Sequence, residues 1–169
     1  MTGKMFGIID HVIGAYTVRI HRFLVNISKK PDMNFVIPNL YVGGNGSIDR
    51  LSKEGIDAIL DLRNEKIDDQ EMISKYLINF LHLPIQDREI PSKKQISQAL
   101  NWIQENLDNK KKVFIHCNLG RGRAPLIVSL YLISKGMNMK ESIQKLKKNR
   151  KYTFFNKKQL NLIRGFSRK

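Results

Sequence analysis

The stretch Val113-Phe114-Ile115-His116-Cys117-Asn118-Leu119-Gly120-Arg121-Gly122-Arg123-Ala124-Pro125 constrains this chain more than any other. An apolar, β-branched run ends in His116-Cys117. Five residues, two of them glycine, then separate the chain's one cysteine from Arg123. A long apolar stretch follows, and Pro125 suits the first turn of a helix. The order predicts a strand, a tight loop and a helix N-terminus. Such a loop turns successive backbone N–H groups into one concavity beside the positive end of a helix, a place for an anion such as phosphate. A thiol held there is placed to act as a thiolate nucleophile.

The rest of the chain fits an alternation of strands and helices. Phe35-Val36-Ile37 and Leu40-Tyr41-Val42 flank a Pro38-Asn39 turn and read as short strands. Ser47 caps a short helix to Lys53, with Gly55 at its end. Ile56 to Leu62 and Phe80 to Ile85 read as strands, Asp68 to Tyr76 as a helix. Ser92 and Gln95 form a capping box for a helix to about Leu107, whose Ile96, Leu100, Ile103 and Leu107 share one buried face. The helix after Arg123 ends near Gly136. Asn138 with Glu141, and Asn156 with Gln159, start two more. The expected fold is α/β: a single domain with a central, mostly parallel sheet flanked by helices. An N-terminal amphipathic segment, 1–33, precedes the domain, 34–169.

Of 169 residues, 41% are apolar and 27% charged, which supports a real core and excludes a disordered chain. One cysteine allows no internal disulfide, so a reducing, cytoplasmic setting is expected. The net charge of +15 is uneven: residues 135–169 carry 12 Lys and Arg and one acid, Glu141. That favours acidic partners, an anionic membrane surface among them, although a solvated helical surface explains it equally well. Phe6 to Ile27 is apolar but interrupted by Asp10, His11, Arg19, His21 and Arg22, which argues against a spanning helix and a signal peptide. It reads as a helix packed on the domain or lying on a membrane. Lys147 to Lys158 interleaves bases with aromatics; Tyr152, Phe154 and Phe155 are expected in the core. Asp61 and Arg63, at the end of a buried strand, suit a structural ion pair.

Cys117 has two readings, a buried structural thiol or a nucleophile, and its setting between strand and glycine loop favours the second. Gly120 and Gly122 permit backbone angles and close approach that side chains block. Arg123 offers a planar fork for two phosphate oxygens. Arg121 adds charge within the loop or faces solvent. His116 orients the loop by hydrogen bonding or is a satisfied core histidine.

These residues resemble the cysteine-dependent protein tyrosine phosphatase superfamily, with its His-Cys-x5-Arg signature, and most of all the small dual-specificity phosphatases. Ile37-Pro38-Asn39-Leu40-Tyr41-Val42-Gly43, Leu60-Asp61-Leu62-Arg63 and Leu83-Pro84-Ile85-Gln86-Asp87 extend the likeness over roughly residues 34–165. Gly120-Arg121-Gly122-Arg123 is also similar to the branch acting on phosphatidylglycerophosphate.

The resemblance implies a dual-specificity-phosphatase-like fold and a two-step reaction through a phosphocysteine. Cys117 is then the nucleophile and Arg123 binds phosphate, with the loop Asn118, Leu119, Gly120, Arg121 and Gly122 around it and His116 in support. Asp87 is the general acid, with Glu89 its nearest competitor. No metal or cofactor is implied, because loop amides and Arg123 supply the charge stabilisation. Ala124 departs from the family, which usually has a hydroxyl residue there that eases departure of the thiolate. The implied substrate is a phosphorylated protein. The alternatives are a phospholipid head group at a membrane surface, an RNA 5′-triphosphate end, and a phosphate-binding module with poor turnover. No specific nucleic acid partner is expected.

Overall fold

The computed structural model describes Ile20 and residues 30–167. The helix expected over Phe6 to Ile27 lies outside them, Ile20 apart. Five strands form one sheet in the order β1-β2-β5-β3-β4: β1 (Met33–Ile37), β2 (Leu40–Gly43), β3 (Ala58–Arg63), β4 (Asn79–Ile85) and β5 (Val113–His116). Only β1 and β2 are antiparallel, joined by the turn in which Asn39 adopts a left-handed φ of 61°. The other pairs are parallel. The helices are α1 (Ile48–Lys53), α2 (Gln70–Lys75), α3 (Lys93–Asp108), α4 (Arg123–Ser134), α5 (Met139–Asn149) and α6 (Lys157–Phe166). The chain is thus a single α/β domain with a mostly parallel sheet.

Every residue of β3 and β5 is buried, as central parallel strands require. Side-chain alternation divides the core. Leu40 and Val42 of β2, Leu60 and Leu62 of β3, and Val113 and Ile115 of β5 face one side. They pack there against Ile96, Ala99 and Ile103 of α3, the apolar α4, Leu146 of α5 and Ile163 of α6. Ile59 and Phe114 face the other side and meet Ile48 and Leu51 of α1 and Ile73 of α2. α4 is buried from Arg123 to Ile133 because helices and sheet surround it.

The N-caps follow the sequence closely. Ser92, Asn138 and Asn156 each form a complete capping box. Ser47 occupies the N-cap of α1 without a side-chain hydrogen bond, and Asp69 caps α2. In the parallel register Asp61 lies beside His116, and Gly43 beside it on the opposite flank. The strands therefore deliver their C-terminal ends, and the loops after them, to one edge of the sheet, where open α/β sheets bind ligands.

Ile103 is fully buried, whereas Leu77 is 91% exposed. Ile103→Ala is expected to cost about 2–5 kcal/mol in a urea titration. Leu77→Ala should stay within about 0.5 kcal/mol.

Candidate active site

The loop from Cys117 to Arg123 is shaped from outside. The Asn118 carbonyl accepts from Asn45 N–H, Arg121 from Phe154 N–H, and Gly122 from Leu126 N–H. The Leu119 and Gly120 carbonyls accept from Arg150, at 2.9 and 2.6 Å. In a trans peptide the carbonyl and the next N–H point to opposite sides. Five carbonyls drawn outward thus turn the N–H groups of residues 119–123 inward.

Arg150 is buried, and all five of its N–H donors are used. Besides the two loop carbonyls it holds Asp32 by two bonds (2.7 and 2.8 Å) and Asn34 by one (2.6 Å). Tyr152 lies against it, ring centre 4.6 Å away. Gly120, at φ 60°, is obligatory here. A Cβ would come within 2.3 Å of the Gly43 backbone and 2.5 Å of Arg150. Gly122 is less constrained than the sequence reading implied: a Cβ there would meet the Gln159 amide at 3.4 Å and the Phe154 carbonyl at 3.6 Å.

His116 stands behind the loop, buried and stacked on Phe114 with ring centres 5.3 Å apart. Its Nε2 lies 2.9 Å from Asp68. Arg63 bonds Asp61 through Nε and Nη2, and Nη2 also bonds Asp68. Its Nη1 reaches Asn45. The structural ion pair expected of Asp61 and Arg63 is present, within a larger buried network. Burial works to raise the Asp68 pKa, but His116 and Arg63 outweigh it and hold the carboxyl below its ordinary range. Asp61, Asp68 and His116 bring potential ligand atoms within 4.8 Å of one another, yet the Arg63 guanidinium is bonded to both carboxylates.

Arg123 opens α4 and is 3% exposed. Glu65, in the loop after β3, grips it at both ends: Nη1 and Nη2 each donate to a Glu65 oxygen at 2.8 Å. Nη1 also donates to the Ile85 carbonyl at 3.0 Å. The fork lowers the Glu65 pKa to about 2. Arg123 Nε is buried and bonds to nothing among the described residues.

A cleft of about 420 Å³ opens over this loop. Cys117, Asn118, Leu119, Arg121, Gly122, Arg123 and Asp87 line it together. Gly120 faces Gly43 and Arg150 behind the loop. Asp87 is exposed, 3.4 Å from Arg123. Glu89 points elsewhere, to Lys158 at 2.6 Å. Arg121 is half-buried: its Nε donates to the Tyr152 carbonyl and its guanidinium lies 6.0 Å from the Phe154 ring centre. Burial, and then the charge of Arg88, lower its pKa.

Phe154 corrects the sequence reading. Phe155 is in the core, but Phe154 is 47% exposed and forms part of the cleft wall, because its N–H is tied to the Arg121 carbonyl. Glu65, Arg88, Asn156 and Gln159 also line the cleft and were not expected there. Asn156 and Gln159 carried a signal, but for a helix cap. Glu65 carried none, since its partner is 58 residues away.

Comparison with known proteins agrees with this geometry. The family model "Polymorphic toxin system, DSP-PTPase phosphatase" matches residues 43–137. Phosphatidylglycerophosphate phosphatase PTPMT2 of Arabidopsis thaliana is 29% identical over 125 residues, 72% of this chain; the match spans only 55% of that protein's length. Protein tyrosine phosphatase type IVA 2 of Mus musculus is 29% identical over 118 residues, 69% of this chain and 70% of its own. Among solved structures, Tk-PTP in its active form superposes with a TM-score of 0.76 at 24% identity, covering 82% of this chain and 98% of that one. The chain belongs to the DSP-PTPase phosphatase family.

Proposed function

We propose that this chain hydrolyses phosphomonoesters through a covalent phosphocysteine on Cys117. The observation that carries the reading is Arg123. One edge of its guanidinium is locked by Glu65, while its Nε–H is buried and, among the described residues, unbonded in the cleft that holds Cys117. A buried donor left unsatisfied is costly, and a phosphate oxygen satisfies it. The inward amides of residues 119–123 would hold the remaining oxygens.

In the first step the Cys117 sulfur attacks phosphorus, and the bond to the leaving oxygen breaks as Asp87 gives that oxygen its proton. In the second step water attacks the phosphocysteine. Asp87 takes a proton from the water, and the thiolate departs with inorganic phosphate released. A positioned proton donor is worth roughly 10²–10⁴-fold. Ala124, fully buried at the start of α4, has no hydroxyl to stabilise the departing thiolate. The second step is therefore the slow one.

The preferred substrate is a phosphorylated protein, phosphotyrosine first, because the exposed Phe154 ring offers a wall for an aryl group. Arg121 favours a second reading, a phospholipid head group. It lines the cleft together with Arg88, whose charge is close enough to lower the Arg121 pKa, so two cations stand on this wall. A relative named as a phosphatidylglycerophosphate phosphatase and the solved complex of PTPMT1 with PI(5)P point the same way. No helix among the described residues is long and apolar enough to cross a membrane. Rates on phosphotyrosine peptides, phosphatidylglycerophosphate and phosphoinositides decide between the two readings.

Cys117→Ser should lower kcat on an aryl phosphate by at least roughly 10³-fold. Equal rates would remove the nucleophile. Rapid mixing should show a burst of one phenol per enzyme followed by slow turnover, and Ala124→Ser should raise the steady rate by about tenfold. A burst-free wild type that Ala124→Ser leaves unchanged would contradict this. Glu65→Gln tests the fork. Because folding lowers the Glu65 pKa from 4.5 to about 2, its contribution to stability is full above pH 4.5 and fades as pH falls toward 2. Urea midpoints of wild type and Glu65→Gln should converge over that window; a constant gap would show that the charge is unimportant.

A further inference from the structure

The loop that follows β4 carries Asp87 on an exposed turn. Its neighbour Arg88 adopts a φ of 64°, a conformation that side chains rarely take and that persists where the surroundings impose it. The turn closes on itself through the Glu89 N–H to the Gln86 carbonyl, 3.0 Å. Besides the Asp87 contact with Arg123, further anchors come from the start of α6, some 70 residues away. Asn156 Nδ2 donates to the Arg88 carbonyl at 2.6 Å. Lys158 Nζ donates to both Glu89 carboxylate oxygens, at 2.6 and 2.9 Å. Gln159 Nε2 reaches the Glu89 carbonyl at 3.4 Å.

Asn156 has two separate tasks. Its Oδ1 accepts from Gln159 N–H at 3.0 Å and caps α6, while its Nδ2 holds the turn. A cap needs only an oxygen, which aspartate and serine supply as well as asparagine does. Capping therefore leaves the amide's donor end unexplained. That end grips the residue directly after Asp87.

We propose that Asn156, assisted by Lys158, is a positioning residue for the proposed proton donor Asp87: α6 clamps the turn so that the Asp87 carboxyl stays over the cleft. The inference rests on the role given to Asp87 above. The clamp acts through Asp87 and touches none of the reacting atoms. Losing it slows protonation of the leaving oxygen and leaves phosphate binding intact.

The test uses the full chain and two substrates, p-nitrophenyl phosphate, whose leaving group departs readily as the anion, and phenyl phosphate, whose leaving group needs the proton. The quantity measured is kcat/KM, which reports the first step. Asn156→Ser and Asn156→Asp keep the cap and lose the donor, so their urea midpoints should match wild type. Each should reduce kcat/KM on phenyl phosphate about tenfold more than on p-nitrophenyl phosphate, with inhibition by inorganic phosphate unchanged. Lys158→Met should show the same bias, more weakly, because its ion pair is exposed. In an Asp87→Ala background Asn156→Ser should add nothing on phenyl phosphate.

Equal losses on both substrates, or a full additional loss in the Asp87→Ala background, would overturn the clamp. If Asp87→Ala discriminates between the substrates and Asn156→Ser does not, the clamp falls alone. If Asp87→Ala itself fails to discriminate, Asp87 is not the donor and both readings fall.

Discussion

The Arg150 guanidinium holds the loop over residues 117–123 in shape from behind. Its five donors meet five acceptors, two of them carbonyls of that loop and two of them the oxygens of Asp32. A guanidinium this deeply buried is tolerable only because every donor is satisfied and a carboxylate balances its charge. The same bonds decide what the loop presents. With its carbonyls pulled toward Arg150, Asn45, Phe154 and Leu126, the loop offers its amides to the cleft. The concavity is positive through backbone orientation as well as through Arg123.

Two further guanidiniums repeat the arrangement. Arg63 joins Asp61, Asp68 and Asn45, and so ties the ends of β3, the turn before α2 and the loop after β2 together beneath His116. Arg123 is fixed by Glu65 and the Ile85 carbonyl, which join the ends of β3 and β4. Each arginine bridges segments distant in sequence at the C-terminal edge of the sheet. Arg121 differs: it is half-buried, bonded to a backbone carbonyl and set against an aromatic ring, and so retains charge that the cleft can use.

Local chemistry was legible in the sequence, and long-range pairing was not. The three capping boxes, the strand ending in His116 and the loop to Arg123 all follow from neighbours within a few residues. The placement of Asp87 near Arg123 came with the family resemblance. Glu65 was invisible because nothing in its own segment marks a residue that meets Arg123 58 positions later. Arg150 and Asp32, 118 positions apart, read as one more base in a basic stretch and one more loop acid. Phe154 and Phe155 form one apolar pair in sequence, yet the Phe154 N–H bond to the loop sends one ring to the cleft wall and leaves the other in the core.

Phosphate binding at this cleft depends on the backbone amides of residues 119–123 forming an inward-facing anion ring. Its most direct test is a titration of ¹⁵N-labelled protein with inorganic phosphate, followed amide by amide. Saturable shifts are expected at Leu119 through Arg123 and at the Arg123 Nε–H, sharing one binding curve. Shifts confined to the lysines of α5 and α6, or none at these amides at saturating phosphate, would contradict it.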